Sequence, residues 1–240
     1  MTFSLAARCP ETGMFGIGIA TSSIAVGNRC PWARAGVGAV TTQHRSDIRL
    51  GPLGLDLLAA GHDAAATVRA LVAGSEFPDQ RQIGVVDRHG GAAFFCGPKI
   101  ASINAGATGP GCVSTGNVIA NPGIPQAMVD AYLRTTGVPF AERLLAAVDA
   151  GLAAGGETQP IMSAALLVVH RESWPLVDLR VDYKERPLLA LRRLWLLYEP
   201  QVDHFVTQVL RPDEVRPLAE REAALARARE RAAALADAAP

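Results

Sequence analysis

The residue best suited to chemistry stands at position 2. A small residue after an initiator methionine is normally uncovered by removal of that methionine, which leaves Thr2 with a free α-amine and a β-hydroxyl. A nucleophile and its base then share one residue. An unperturbed α-amine titrates at about 7.7–8.0, so near neutrality a useful fraction is unprotonated and can accept the hydroxyl proton directly or through a water. The N-terminal threonine form of nucleophilic catalysis is built this way. Many chains begin Met-Thr without consequence. Here Thr2 opens a segment that reads as buried strand from its first residue, whereas an ordinary terminus is frayed and polar.

Other residues in the chain can assist such a nucleophile. Gly116-Asn117 follows Cys112-Val113 and precedes Val118-Ile119, which puts the asparagine at a strand end or bulge. Glycine there admits close backbone approach, and an amide N–H can face a developing oxyanion; an Asn that caps its own turn is the even alternative. Gln43 can orient a substrate carbonyl or be a satisfied polar residue at a sheet end. Ser22 and Ser23 either line the face that carries Thr2 or form a turn before Ile24. In the run His44-Arg45-Ser46-Asp47-Ile48-Arg49, Arg45 or Arg49 can hold a carboxylate bidentately, and a solvated Arg–Asp ion pair is the plainer reading. Arg81 can face the pocket or a neighbouring subunit. The expected site is therefore Thr2, Asn117 and Gln43 for catalysis, with Ser22, Ser23, His44, Arg45, Arg49 and Arg81 for substrate.

Several chemistries find no support in the sequence. His44, His62, His89, His170 and His204 show no HxH, HxxxH or HExxH spacing, and Cys9, Cys30, Cys96 and Cys112 lie far apart without a CxxC pair, so neither a metal nor a disulfide framework is expected. No GxGxxG or GxxxxGK[ST] run occurs, and no cofactor is expected. Lys+Arg 23 balances Asp+Glu 23, so no cationic field gathers phosphates and nucleic acid is not an expected partner. No apolar run reaches the length of a membrane span and the N-terminus lacks a basic region followed by an apolar core, which reads as a cytoplasmic protein without a membrane partner.

The elements that must position these residues are legible in part. At 240 residues the chain is long enough for a continuous core without staples. Phe3, Leu5 and Ala7 alternate with Thr2, Ser4 and Ala6, and after the turn-rich stretch Cys9 to Gly13 the pattern returns as Phe15, Ile17 and Ile19 against Gly16, Gly18 and Ala20. This reads as a hairpin with one large apolar face and one face stripped to small residues. Strands are also expected over 37–43, 82–87, 92–96 and 163–169, and helices over 53–60, 64–73, 125–135 and 141–154, the second entered through Asp63 as N-cap. Strands, two helices, strands, two helices and strands exclude a simple βαβ array and predict an α+β fold, two antiparallel sheets with helices outside. A domain over 1–182 and a helical extension over 183–240 follow from the change in composition. Leu188, Leu191, Leu194, Trp195 and Leu197 carry more apolar surface than one solvated helix needs, which predicts a homodimer.

Over roughly residues 2–182 the chain resembles the family grouped as domain of unknown function 1028 (DUF1028). The resemblance rests on several runs in order: Thr2-Phe3-Ser4, the stretch Pro31 to Val40 followed by Thr42-Gln43, Gly51-Pro52 with Gly54-Leu55, Arg81-Gln82 with Gly84 to Asp87, Gly116-Asn117, and Ser163 to Val168. It implies the fold of N-terminal nucleophile (Ntn) hydrolases, a four-layer αββα sandwich. It implies chemistry less directly, since fold does not establish activity. This chain also departs from the family pattern. Pro160, Ile161 and Met162 stand where relatives carry Gly-Arg-Gln, and Asp47, Ile48 and Leu50 stand where an Asn-Pro and an aromatic are usual. The resulting expectation is a cofactor-free hydrolase of a small amide, imide or ureido compound acting through Thr2, against the alternative of a non-catalytic ligand-binding or scaffold protein that keeps the sandwich.

Overall fold

A computed structural model describes residues 1–237 of the chain. It divides into two compact units, Met1–Pro187 and Leu188–Pro240. The first holds strands β1 (Thr2–Arg8), β2 (Phe15–Thr21), β3 (Pro31–Arg34), β4 (Gly38–Gln43), β5 (Gln82–Asp87), β6 (Ala92–Cys96), β7 (Asn104–Gly109), β8 (Cys112–Asn117), β9 (Ser163–Val169) and β10 (Val177–Val181). Its helices are α1 (Leu50–Ala59), α2 (Ala64–Gly74), α3 (Ile124–Arg134) and α4 (Phe140–Ala153). Asp63 caps α2 as expected, its Oδ1 accepting from the Ala66 N–H at 2.6 Å. The strands form a six-stranded sheet in the order β10-β9-β2-β1-β8-β7 and a four-stranded sheet in the order β3-β4-β5-β6, with every pairing antiparallel. Helices α3 and α4 lie on the six-stranded sheet and α1 and α2 on the four-stranded one, giving the expected αββα sandwich. Pro31 opens β3 at a sheet edge, where a missing N–H costs no ladder bond.

The hairpin β1–β2 corrects one expectation. Its large residues do not share a face, because the register sets odd-numbered residues of β1 opposite even-numbered residues of β2: Phe3 pairs with Ala20, Leu5 with Gly18 and Ala7 with Gly16, while Ser4 pairs with Ile19 and Ala6 with Ile17. Partners across a ladder point the same way. Phe3 and Leu5 therefore join Gly16 and Gly18 under the helices, and Thr2, Ser4 and Ala6 join Ile17 and Ile19 in the space between the sheets. The glycines are where α4 comes down onto β2; a Cβ at Gly18 would lie 2.7 Å from Val148 Cγ2 and 3.0 Å from the Leu144 carbonyl oxygen. Bulk on one strand is met by its absence on the next.

The layer between the sheets changes character along its length. At one end Ala6, Phe15, Ile17, Ala39, Val86 and Val113 form a continuous apolar cluster. Each such side chain buried outright contributes about 1.5–3 kcal/mol if large. Going toward the start of β1, the same face carries Ser4, Thr41 and Thr115, and then Thr2, Gln43, Gln82 and Asn117, all 5% exposed or less. Hydrocarbon gives way to a buried polar end. On the outer side of the four-stranded sheet a second apolar cluster, including Val40, Leu58, Leu71 and Ile83, holds α1 and α2.

The second unit comprises α5 (Pro187–Tyr198), α6 (Val202–Leu210) and α7 (Leu218–Asp237). Leu188, Leu191 and Trp195 are buried, whereas Leu194 and Leu197 remain 38% and 36% exposed. Part of the apolar surface assigned to a dimer interface is thus already covered within one chain. No described helix is long and apolar enough to cross a membrane.

Candidate functional site

Thr2 begins a central strand and stands opposite Asn117, the last residue of β8. Facing residues in an antiparallel pair have Cα atoms about 4.5–5.5 Å apart, so Thr2 and the Asn117 amide are immediate neighbours. Both face the other sheet, whose β4 ends and β5 begins at the paired residues Gln43 and Gln82. A chain of amides joins the two sheets there. Asn117 Nδ2 donates to Gln82 Oε1 at 3.0 Å, and Gln43 Nε2 donates to the same oxygen at 2.9 Å and to Thr115 Oγ1 at 2.6 Å. Ser4 Oγ donates to Gln43 Oε1 at 3.1 Å, and Gln82 Nε2 donates to the Gly116 carbonyl at 2.8 Å. A buried amide left unpaired costs about 1–3 kcal/mol, which is why this polar layer is a connected one. Asn117 Oδ1 is the exception: it is buried and accepts no hydrogen bond.

The end of β1 is enclosed by groups from several elements. The Met1 carbonyl oxygen accepts from the hydroxyl of Thr2 and, at 2.5 Å, from that of Thr21 at the end of β2. Ser22 Oγ lies 3.1 Å from Met1 Sδ. Just past Asn117 the chain bends at Val118, whose φ of 55° is a strained left-handed conformation for a β-branched residue. The bend sends Ile119 into an antiparallel bridge with Glu157. The bridge brings Glu157 to the end of β2, where the strand passes into Ser22. Glu157 Oε2 accepts from the Ser22 N–H at 2.9 Å, while its buried Oε1 has no partner. Burial lowers the Met1 amine from its ordinary value, with Glu157 and Cys30 opposing that shift and Arg29 adding to it. Burial also raises the Glu157 carboxyl, against its hydrogen bonds to Ser22 and the nearby amine.

The expected residues thus fall into two groups. Thr2, Asn117, Gln43 and Ser22 gather at the polar end of the sandwich. Ser23 belongs to the turn that follows, its hydroxyl accepting from Arg29 Nη2 at 2.8 Å. The loop after Gln43 is held by its own contacts. His44 and Arg45 take positive φ, His44 Nδ1 sits 2.7 Å from the Gln80 carbonyl oxygen, and Arg81 Nη1 donates to the Arg45 carbonyl. Arg49 grips the buried Asp47 with Nε at 2.9 Å and Nη2 at 2.8 Å. Its hydrogen bond first, and its charge, hold the Asp47 carboxyl below the usual range against the effect of burial. Arg49 is committed to this ion pair, Arg81 lies 3.9 Å from the same carboxylate, and the Arg45 side chain is left exposed without a partner.

Sequence reasoning did not find Gln82, Thr21 and Glu157. Gln82 was visible as the first residue of a strand, but Glu157 follows two glycines in a loop and reaches the site through its bridge to Ile119 and its bond from the Ser22 N–H. Among the described residues no group of three or more His, Cys, Asp or Glu gathers as a metal site would require. A separate groove of about 510 Å³, lined by Trp32, Arg34, Leu55, Val169, Arg171 and Trp174 among others, lies at the other end of the sandwich. Val169 pairs with Phe15, six positions along β2 from Thr21, or roughly 20 Å.

The chain as a whole is similar to known proteins. Residues 2–191 match a family described as a family of unknown function (DUF1028). A crystal structure of a Silicibacter pomeroyi protein of that family is similar at 31% identity and a TM-score of 0.77, over 82% of this chain and 85% of that one. Anbu (ancestral beta-subunit) from Yersinia bercovieri aligns at 12% identity and a TM-score of 0.37, over 85% of this chain and 97% of that one. A Gly-1 mutant of Anbu from Hyphomicrobium sp. strain MC1 aligns at 11% and 0.39, over 90% and 99%. No curated protein matches the chain.

Proposed function

For this chain, which belongs to the DUF1028 family, we propose a cofactor-free amidohydrolase of Ntn type that acts on a small molecule through Thr2 after loss of Met1. The observation that carries the reading is the placement of Thr2: buried, first on a central strand, facing the polar end of the layer between the sheets and opposite Asn117.

The step balances within the residue and water. Thr2 Oγ adds to the substrate carbonyl carbon as its proton passes to the Thr2 amine. The C–N bond breaks and the leaving nitrogen takes that proton. Water then adds to the ester, its proton again taken by the amine, and the bond to Oγ breaks to give a carboxylic acid and free Thr2. Thr21 Oγ1, which donates to the carbonyl already present at this position, is the donor best placed for the oxygen of the tetrahedral intermediate. Asn117 Oδ1 is available to accept from the Thr2 amine. Four unpaired cysteines support a cytoplasmic setting, and the exposed Leu194 and Leu197 leave a surface for a second copy, which sedimentation at micromolar concentration decides.

The experiment is intact-mass measurement of the mature chain, then exposure to an activated ester or β-lactone and peptide mapping. Loss of Met1 and a single adduct on Thr2 are expected. Retained Met1, or labelling elsewhere, rejects the nucleophile. A ligand-binding protein that keeps the sandwich is then the better account, favoured by Pro160, Ile161 and Met162, which place no side-chain donor beside β9.

A further inference from the structure

Met1 lies in the site as a tethered aminoacyl group. Its carbonyl oxygen takes hydrogen bonds from the hydroxyls of Thr2 and Thr21, its side chain meets Ser22 Oγ through sulfur at 3.1 Å, and its amine is within the electrostatic reach of Glu157, whose Oε1 accepts no hydrogen bond. Each part of an α-amino acyl unit has a counterpart. Glu157 is 8% exposed, and its position is set by the backbone bridge to Ile119 and the Ser22 N–H rather than by its own reach. A buried carboxylate with one oxygen unused is costly unless a cation completes it. Removing Met1 moves the terminal amine back to Thr2 and vacates the space that the Met1 amine, carbonyl and side chain had filled beside Ser22 and Glu157.

Resting on the reading of Thr2 as nucleophile, we propose that the vacated space is an aminoacyl site, and that the substrate is an amide of an α-amino acid with a free amino group, whose ammonium Glu157 binds. The carbonyl then lies by the hydroxyls of Thr2 and Thr21, and the side chain points past Ser22 toward solvent, as that of Met1 does at 41% exposure for the residue. An open side-chain direction predicts breadth toward that group. Strictness is expected at the amino group, because an ammonium both donates to Glu157 and offsets its charge, whereas an acylated nitrogen can only donate. The other charged side chain facing the ammonium is Arg29, whose guanidinium is engaged with the Ile24 carbonyl at 2.7 Å and Ser23 Oγ; the Cys30 thiol, raised by burial, stays neutral. Glu157 is thus the one anionic group at this end of β1 among those that act on the amine.

The test compares methionine p-nitrophenyl ester with its N-acetyl counterpart on the mature full chain, reading the nitrophenolate burst and the mass added at Thr2. The free-amine ester is expected to acylate at least about tenfold faster. Glu157→Gln abolishes that preference by slowing the free-amine ester alone, and Glu157→Asp, which keeps the charge one methylene further back, gives an intermediate ratio. Equal rates for the two esters in the unmodified chain, or variants that slow both esters alike, overturn the aminoacyl site while leaving the nucleophile intact. No adduct from either ester rejects the nucleophile instead. The site is then judged by calorimetry of methionine amide on the Thr2→Ala chain: binding lost in the added Glu157→Gln change supports it, and absent or unchanged binding overturns it.

Discussion

Asn117 faces Thr2 across the central ladder, yet the atom it leaves free is an acceptor: Nδ2 is given to Gln82, and Oδ1 is buried without a partner. The orientation is fixed by the amides behind it, since Gln82 Oε1 already accepts from both Asn117 and Gln43 and would repel a second oxygen. A negative oxygen needs donors, while a protonated amine or a hydroxyl needs an acceptor. Asn117 suits the second need, and Thr21 the first.

Replacing Asn117 by Ala removes the donor to Gln82 and leaves a void at the polar end. A loss of about 1–3 kcal/mol in unfolding free energy is expected. Asn117→Asp should cost more, because it sets a carboxylate against Gln82 Oε1. Urea denaturation of the two variants measures the difference, and an unchanged midpoint in both would show the amide chain to be dispensable.

Thr2→Ala keeps a small residue after Met1 and removes the hydroxyl; turnover of any amide substrate should fall by at least about a thousandfold. Thr2→Ser keeps hydroxyl and amine and should retain measurable hydrolysis. Equal turnover in Thr2→Ala and the unmodified chain would separate the reaction from this residue.

Gly18→Ala presses a methyl group against Val148 and the Leu144 carbonyl, so α4 must lift from the sheet. A destabilisation of about 1–3 kcal/mol follows from overpacking. Thermal unfolding reads it, and a neutral substitution would mean that α4 rides more loosely on β2 than these distances state.

The Asp47 carboxyl is lowered in the folded chain, chiefly by its hydrogen bond to Arg49. A carboxyl so lowered stabilises the fold above its unfolded value of about 3.9, and that contribution fades as pH falls through the lower folded value. Asp47→Asn should therefore lower the melting temperature at pH 7, with a gap to the unmodified chain that closes below about pH 4. A gap that widens with acid would reverse the assignment.

Burial pushes the Cys112 thiol up to about 11. Against an ordinary cysteine at about 8.5, its thiolate fraction at pH 8 is lower by roughly a hundredfold or more, and aromatic disulfide reagents should label it that much more slowly in the folded chain than after unfolding. Rapid labelling of Cys112 in the native protein would contradict its burial.

The sequence disclosed strands where large and small residues alternate, as in Thr2–Arg8 and Phe15–Thr21, and where apolar runs are bounded by turns, as in Gln82–Asp87 and Ser163–Val169. It did not disclose Asn104–Gly109, whose residues Asn, Ala, Gly, Ala, Thr and Gly carry no large side chain to mark a face. The hairpin's faces were misjudged for a related reason. Alternation within each strand is local, whereas which face meets which depends on register, set by the connection from Cys9 to Met14. Asn117 and Gln43 could be singled out by type and position, but whether Asn117 offers a donor or an acceptor depends on Gln82, and Glu157 enters through a bridge that no local pattern announces.

Matching bulk with its absence across β1 and β2 has a consequence at the far end of the strand. Sliding one strand by a residue would put Leu5 beside a large neighbour and turn Thr2 away from the second sheet, and sliding by two would move Thr2 about 7 Å from Asn117. The filling of the core thereby acts as a ruler for Thr2, calibrated away from the site itself. Loops such as 44–49 and 158–162 take no part in that measurement. They can be rewritten, and new pockets tried, around a threonine whose coordinates do not drift.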